Sequence, residues 1–94
     1  MLRPNYSDDD KKNVWEKAKS INNKNPNSYR LDPYGNQICY RFYGKDTPQG
    51  WQIDHIKPIS KGGSNDIRNL QALKTKINLE KSNSLKKRSR HNNK

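Results

Sequence analysis

Asp54 and His55 stand side by side in the segment Trp51-Gln52-Ile53-Asp54-His55-Ile56-Lys57-Pro58-Ile59-Ser60-Lys61-Gly62-Gly63-Ser64. Asn69-Leu70-Gln71-Ala72-Leu73 and Asn78-Leu79-Glu80-Lys81 follow downstream. These residue types have the chemistry to cut a phosphodiester. That reaction needs an activated water, a cation on the scissile phosphate and stabilisation of the leaving oxygen. A neutral imidazole, whose ordinary pKa is ~6.5, takes the water's proton at physiological pH. A carboxylate and a side-chain amide oxygen are the hard ligands that Mg²⁺ accepts, with waters and phosphate oxygens completing an octahedron. His55, Asp54 and Asn78 supply that inventory. Neighbouring residues of a regular strand point to opposite faces, so an ideal strand cannot turn both Asp54 and His55 toward one cation. The strand must end or bulge there, or the site is reached from two sides. Pro58 fits an early end.

The rest of the chain is a small, strongly basic carrier for those residues. It has 94 residues, 28% of them apolar and 31% charged, with 20 Lys and Arg against 9 Asp and Glu for a net charge of +11. Globular chains are typically ~45–50% apolar, so the core must be small and its stability marginal. No run approaches the ~20 apolar residues of a membrane span, and no apolar signal segment follows the N-terminus. The expected location is therefore intracellular. Cys39 is the lone cysteine, which excludes an internal disulfide; with only His55 and His91 beside it, a four-ligand zinc site is also excluded. A pI near 10.0 in a short chain is the footprint of nucleic-acid binding. Residues 1–50 hold nine basic and six acidic side chains and residues 51–94 hold eleven and three, so the partner should lie against the C-terminal half.

One domain over 1–85 and a basic tail over 86–94 are expected, the tail carrying Lys86-Lys87-Arg88-Ser89-Arg90. Ser7 and Asp10 form a capping signal, and Val14, Ala18 and Ile21 recur at helical spacing, which predicts a helix over 8–21. A hairpin is predicted over 28–43, turning at Asp32-Pro33-Tyr34-Gly35-Asn36. Its aromatic residues and Cys39 read as core, since a chain this poor in aliphatics needs them there. Strands over 51–56 and 68–73 should flank the Gly62-Gly63 loop, with a helix over 76–84 capped by Thr75.

Asp54-His55-Ile56, Pro58, the Gly62-Gly63 loop, Asn69-Leu70-Gln71, Leu73, Asn78 and Lys81 together resemble the signature of the HNH endonucleases, in its His-Asn-Asn form. The resemblance covers about 51–83, a third of the chain. It implies an α+β fold: a ββα-metal domain over 51–84, here with an N-terminal helix and an added β-hairpin. Carried over residue by residue, it makes His55 the general base, Asp54 and Asn78 the metal ligands, and Asn69 a brace for the loop. Lys81, three residues after Asn78, shares its helix face and either holds a phosphate or solvates the helix. Lys57, Lys61, Arg68, Lys74 and Lys76 are candidates for phosphate contacts that position substrate without reading sequence. Many relatives carry paired cysteines for a structural zinc, and this chain has none of them. Packing of Trp51, Ile53, Ile56, Leu70, Leu73 and Ile77, with the N-terminal helix laid across, must brace the fold instead. Relatives lacking zinc often have His where Lys74 stands and Asn where Ile77 stands, so metal preference need not follow theirs.

The leading functional expectation is a DNA endonuclease using one divalent cation, Mg²⁺ or else Mn²⁺, and leaving 5′-phosphate ends as the resemblance implies. The alternative is a non-catalytic nucleic-acid-binding module on the same scaffold. A small structural RNA-binding protein explains the charge but not the spacing of Asp54, His55, Asn69, Asn78 and Lys81. A chain this small cuts with weak specificity, takes its targeting from a partner protein, or works as a homodimer. Richness in Lys, Asn and Ile suggests an AT-rich genome such as that of a phage or large DNA virus. The tail reads as a phosphate-binding arm or a nuclear-import signal.

Overall fold

Ser7 and Asp10 close the first turn of α1 (Asp8–Lys17) reciprocally: the Asp10 amide donates to Ser7 Oγ at 3.0 Å and the Ser7 amide to Asp10 Oδ2 at 3.2 Å. The computed structural model describes residues 6–81. The predicted helix over 8–21 stops at Lys17, because Ala18 turns to an extended conformation and residues Lys19–Ser20 leave as β1. Arg30 explains the stop. Its Nη1 donates to the carbonyls of Glu16 at 3.2 Å and Ala18 at 2.8 Å, taking acceptors that a longer helix would use itself. Lys17 Nζ reaches across to the carbonyls of Ile67 and Leu70, fixing the helix end against the last strand.

The expected hairpin is part of a three-stranded antiparallel sheet in the order β1, β2 (Tyr29–Leu31), β3 (Gln37–Cys39). Lys19 pairs with Leu31, and Leu31 in turn with Gln37. The β run predicted to continue to 43 breaks after Cys39 into a 3₁₀ turn over Tyr40–Phe42. That turn swings Tyr40 and Tyr43 onto Trp51, at centroid distances of 5.9 Å and 4.9 Å. Asp32, at the hairpin turn, is only 4% exposed. Its Oδ1 accepts from the amides of Tyr34 and Asn36, and its Oδ2 from Asn36 Nδ2 and from the Lys74 amide at 3.1 Å.

β4 (Trp51–His55) and β5 (Leu70–Lys74) form a second antiparallel sheet whose register runs from Trp51 opposite Lys74 to His55 opposite Leu70. Both strands are a residue or two off the predicted bounds, the segment 67–69 being a 3₁₀ turn. One face of this sheet carries Trp51, Ile53, Leu70 and Ala72 into a core with Val14, Trp15 and Ile38. Trp15 meets Trp51 at 5.1 Å and Tyr40 edge-on at 5.2 Å, and both indole N–H groups are satisfied by the carbonyls of Pro26 and Tyr40. Of the hairpin's aromatic residues Tyr40 and Tyr43 pack against the core and Cys39 is buried, as expected, whereas Tyr34 at the turn is 69% exposed. Ile56 is not core. It is 52% exposed, because it follows the last paired residue of β4, and Ile77 is only half-buried.

The last described element, α2, is helical from 75 to 81 and follows β5 without a loop. Thr75 does not cap it. Its side chain is buried with Oγ1 unpartnered among the described residues, and its amide donates to the Gly50 carbonyl at 2.9 Å. The Asp32 carboxylate holds the preceding amide, that of Lys74. A capping box gives that position to a side chain of the helix itself. The basic tail lies outside the described residues.

Candidate active site

β4 stays in regular register through His55 and ends there, so Asp54 and His55 leave its end on opposite faces without a bulge. Asp54 points to the face shared with Gln71 and α2. Asp54 is buried, and its carboxylate accepts from Gln71 Nε2 at 2.9 Å and from Lys81 Nζ at 2.9 Å and 3.2 Å. Gln71 is the cross-strand neighbour of Asp54, which is why the two side chains meet. Lys81 Nζ also lies 3.5 Å from the His55 carbonyl. Asn78 sits one turn earlier on the same face of α2 and is half-buried. Near this acid the phenol of Tyr6 is pushed above its ordinary range, mainly by burial and further by the charges of Asp10 and Asp54.

His55 faces the loop between β4 and β5, with Nε2 2.7 Å from Asn65 Oδ1. Asn69 closes that loop: its Oδ1 accepts from the Lys57 amide at 2.8 Å, and its Nδ2 donates to the carbonyls of Lys57 and Ser64. Two glycines turn the chain inside it. Gly62 adopts φ +91°, and a Cβ on Gly63 would stand 1.9 Å from the Lys57 carbonyl oxygen. Only glycine fits the second position.

The basic residues divide by whether their charge is already engaged. The Arg68 guanidinium grips Asp66 through Nε at 3.1 Å and Nη2 at 3.2 Å. Its side-chain hydrogen bonds hold the Asp66 carboxyl down at about 2, from an ordinary 3.8. Lys81 is paired with Asp54. Lys57 and Lys61 are exposed on the loop beside His55, and Lys74 is half-buried at the far end of β5. The sequence assigns roles to Asp54, His55, Asn69 and Asn78, includes Gln71 in the signature stretch without a role, and gives Asn65 none. Gln71 could have been found from the register once the two strands were aligned. No signal in the sequence separates Asn65 from the other twelve asparagines.

Among the described residues there is no group of three or more His, Cys, Asp and Glu side chains able to hold a metal ion. The donors that the sequence nominates are the Asp54 carboxylate and the Asn78 amide, the latter on the α2 face that also carries Lys81. The carboxylate already binds a positive charge in the form of the Lys81 ammonium, and its two oxygens have lone pairs beyond those that Lys81 and Gln71 use. This donor set fits a hard divalent cation that keeps several waters.

No curated protein and no solved structure matches this chain. The family model for HNH endonuclease matches residues 37–84, just over half of the chain. The match spans β3, the whole β4–loop–β5–α2 unit and the hydrogen-bond partners of the Asp54 and His55 side chains, Gln71, Lys81 and Asn65. With its antiparallel strand pair, glycine-turned loop and following helix, the chain belongs to the HNH endonuclease family, whose activity is of the nuclease type and uses divalent metals.

Proposed function

We propose that this protein is an endonuclease that hydrolyses DNA phosphodiester bonds with His55 as general base. The observation that carries the reading is the fork at the end of β4. A buried carboxylate paired with the Lys81 ammonium leaves on one side, and an imidazole held by a hydrogen bond leaves on the other. Asp54 and Asn78 are the residues to hold a divalent ion, Mg²⁺ or Mn²⁺. Such an ion supplies positive charge at the scissile phosphate and the departing oxygen. His55 takes a proton from the attacking water on a free ring nitrogen. Gln71 fixes the plane of the Asp54 carboxylate, and Asn69 fixes the loop from which Lys57 and Lys61 meet the phosphates. The net charge of +11 favours a polyanionic substrate whatever its sequence.

A second reading, a nucleic-acid-binding module without catalysis, draws on the Lys81–Asp54 ion pair, which sets an ammonium against metal entry. Supercoiled plasmid incubated with the protein in Mg²⁺ or Mn²⁺ decides between them. Nicking that is lost both in EDTA and in His55→Ala, with DNA binding retained, is the expected result. Binding without cleavage of plasmid, short duplex or single strand in either metal selects the module.

A further inference from the structure

We propose that Asn65 is a positioning residue for His55: its side-chain carbonyl accepts the imidazole Nε2 proton and leaves Nδ1 as the free base of the ring. The inference rests on the reading of His55 as general base. Nε2 and Asn65 Oδ1 are 2.7 Å apart, at the short end of the ~2.7–3.2 Å range for such bonds. An amide oxygen can only accept, and a neutral imidazole has one N–H and one bare nitrogen. With Oδ1 against the ring, the proton is on Nε2, and proton uptake falls to Nδ1. The bond also stops the ring from turning about its χ2, a torsion with no sharp preference of its own.

The loop is built to place this residue without using its side chain elsewhere. On one side the Ser64 carbonyl is bonded to Asn69 Nδ2 at 2.8 Å, and on the other Asp66 Oδ1 accepts from the Arg68 amide at 2.9 Å. Ser64 Oγ accepts from the Asp66 amide, bridging over Asn65. The bond to His55 is the one hydrogen bond of the Asn65 side chain among the described residues. Its removal therefore leaves the loop closed and frees the ring.

Two variants of the full chain, Asn65→Ala and Asn65→Asp, test this by two readouts. The first is long-range ¹H–¹⁵N correlation spectroscopy of the metal-free protein at about pH 8, where imidazoles are neutral. The wild type should show Nε2 protonated, Nδ1 bare and the Nε2 proton protected from solvent exchange. Protection should vanish in Asn65→Ala and persist in Asn65→Asp, whose carboxylate accepts the same proton. The second readout is plasmid nicking in Mg²⁺. Asn65→Ala should lower kcat about tenfold with KM little changed, the loss of one orienting hydrogen bond, and Asn65→Asp should recover most of it. A proton on Nδ1 in the wild type, equal protection in Asn65→Ala, or a change confined to KM overturns the proposal. A wild type that does not cleave overturns the assignment of His55 as base, and the spectroscopic readout still decides whether Asn65 holds the ring.

Discussion

Replacing Asp32 by alanine should destabilise the protein by about 2–3 kcal/mol, although Asp32 lies in an added hairpin away from the site. The magnitude follows from who loses a partner. Trp51 and Lys74 are opposite one another, and the neighbouring amide of Thr75 donates inward to the Gly50 carbonyl. Strand amides alternate in direction, so that of Lys74 points away from β4 and meets Asp32 Oδ2 at 3.1 Å. Without the carboxylate this amide loses its acceptor at the junction of β5 and α2, at a cost of about 1–3 kcal/mol. The amides of Tyr34 and Asn36 lose theirs too, but the turn is open enough for water to replace it in part. Release from desolvating a 4%-exposed carboxylate offsets some of the loss. For a chain of this size the net change lowers the midpoint of thermal unfolding by about 10–20 °C. Circular dichroism melts and urea titration measure it, with Asp32→Asn expected in between because one acceptor oxygen remains. A midpoint within about 2 °C of wild type for Asp32→Ala would show that the hairpin does not brace α2.

Gly63→Ala should abolish plasmid nicking, since its Cβ would clash with the Lys57 carbonyl oxygen and push the loop off His55; nicking at the wild-type rate would mean that the loop yields at no cost to the site. Gln71→Leu should weaken Mn²⁺ binding, read by calorimetry without DNA, by about 10–100-fold through loss of the bond that orients Asp54; unchanged affinity would remove Gln71 from the site. Asp66 should titrate by NMR with a midpoint of about 2, moving up toward its ordinary 3.8 in Arg68→Ala. Its folded-state pKa is depressed, so the contact with Arg68 is fully present above the ordinary value and is lost as pH falls through about 2. A midpoint near 3.8 in the wild type would mean that Arg68 is free for phosphate.

What the sequence disclosed and what it hid differ in physical kind. Spacing fixed along one stretch was legible: the capping box of α1, the strand pair around Gly62 and Gly63, and the placement of Asn78 and Lys81 on one helix face all depend on residues near in sequence. Contacts that cross the chain were not. The end of α1 is set by Arg30, twelve residues beyond Ala18, so the helical spacing of Val14, Ala18 and Ile21 overran it. Thr75 looked like a cap because caps are usually local, whereas the acceptor at that junction comes from Asp32. Ile56 looked like core because apolar residues usually are, yet it lies one step past the paired strand. In the sequence Lys81 fits a phosphate contact or a solvated side chain equally. Its place on Asp54 appears only when α2 is docked on β4.

The seating of Trp15 between Tyr40 and Trp51 bears on how this catalytic unit can be moved between proteins. The stretch that matches the family begins at 37, but two of the buried residues that back the β4–β5 sheet, Val14 and Trp15, lie before it. A fragment cut at the family boundary would carry a hole the size of an indole and an isopropyl group against Trp51, at the start of the strand that bears Asp54. Filling a gap of that kind with solvent costs about 3–5 kcal/mol or more, comparable with the whole stability of a small domain. Grafting the nuclease onto a targeting module therefore means taking the chain from Tyr6 onward, so that the fusion joint falls before the capping box and spares the Tyr6 ring that packs against the core.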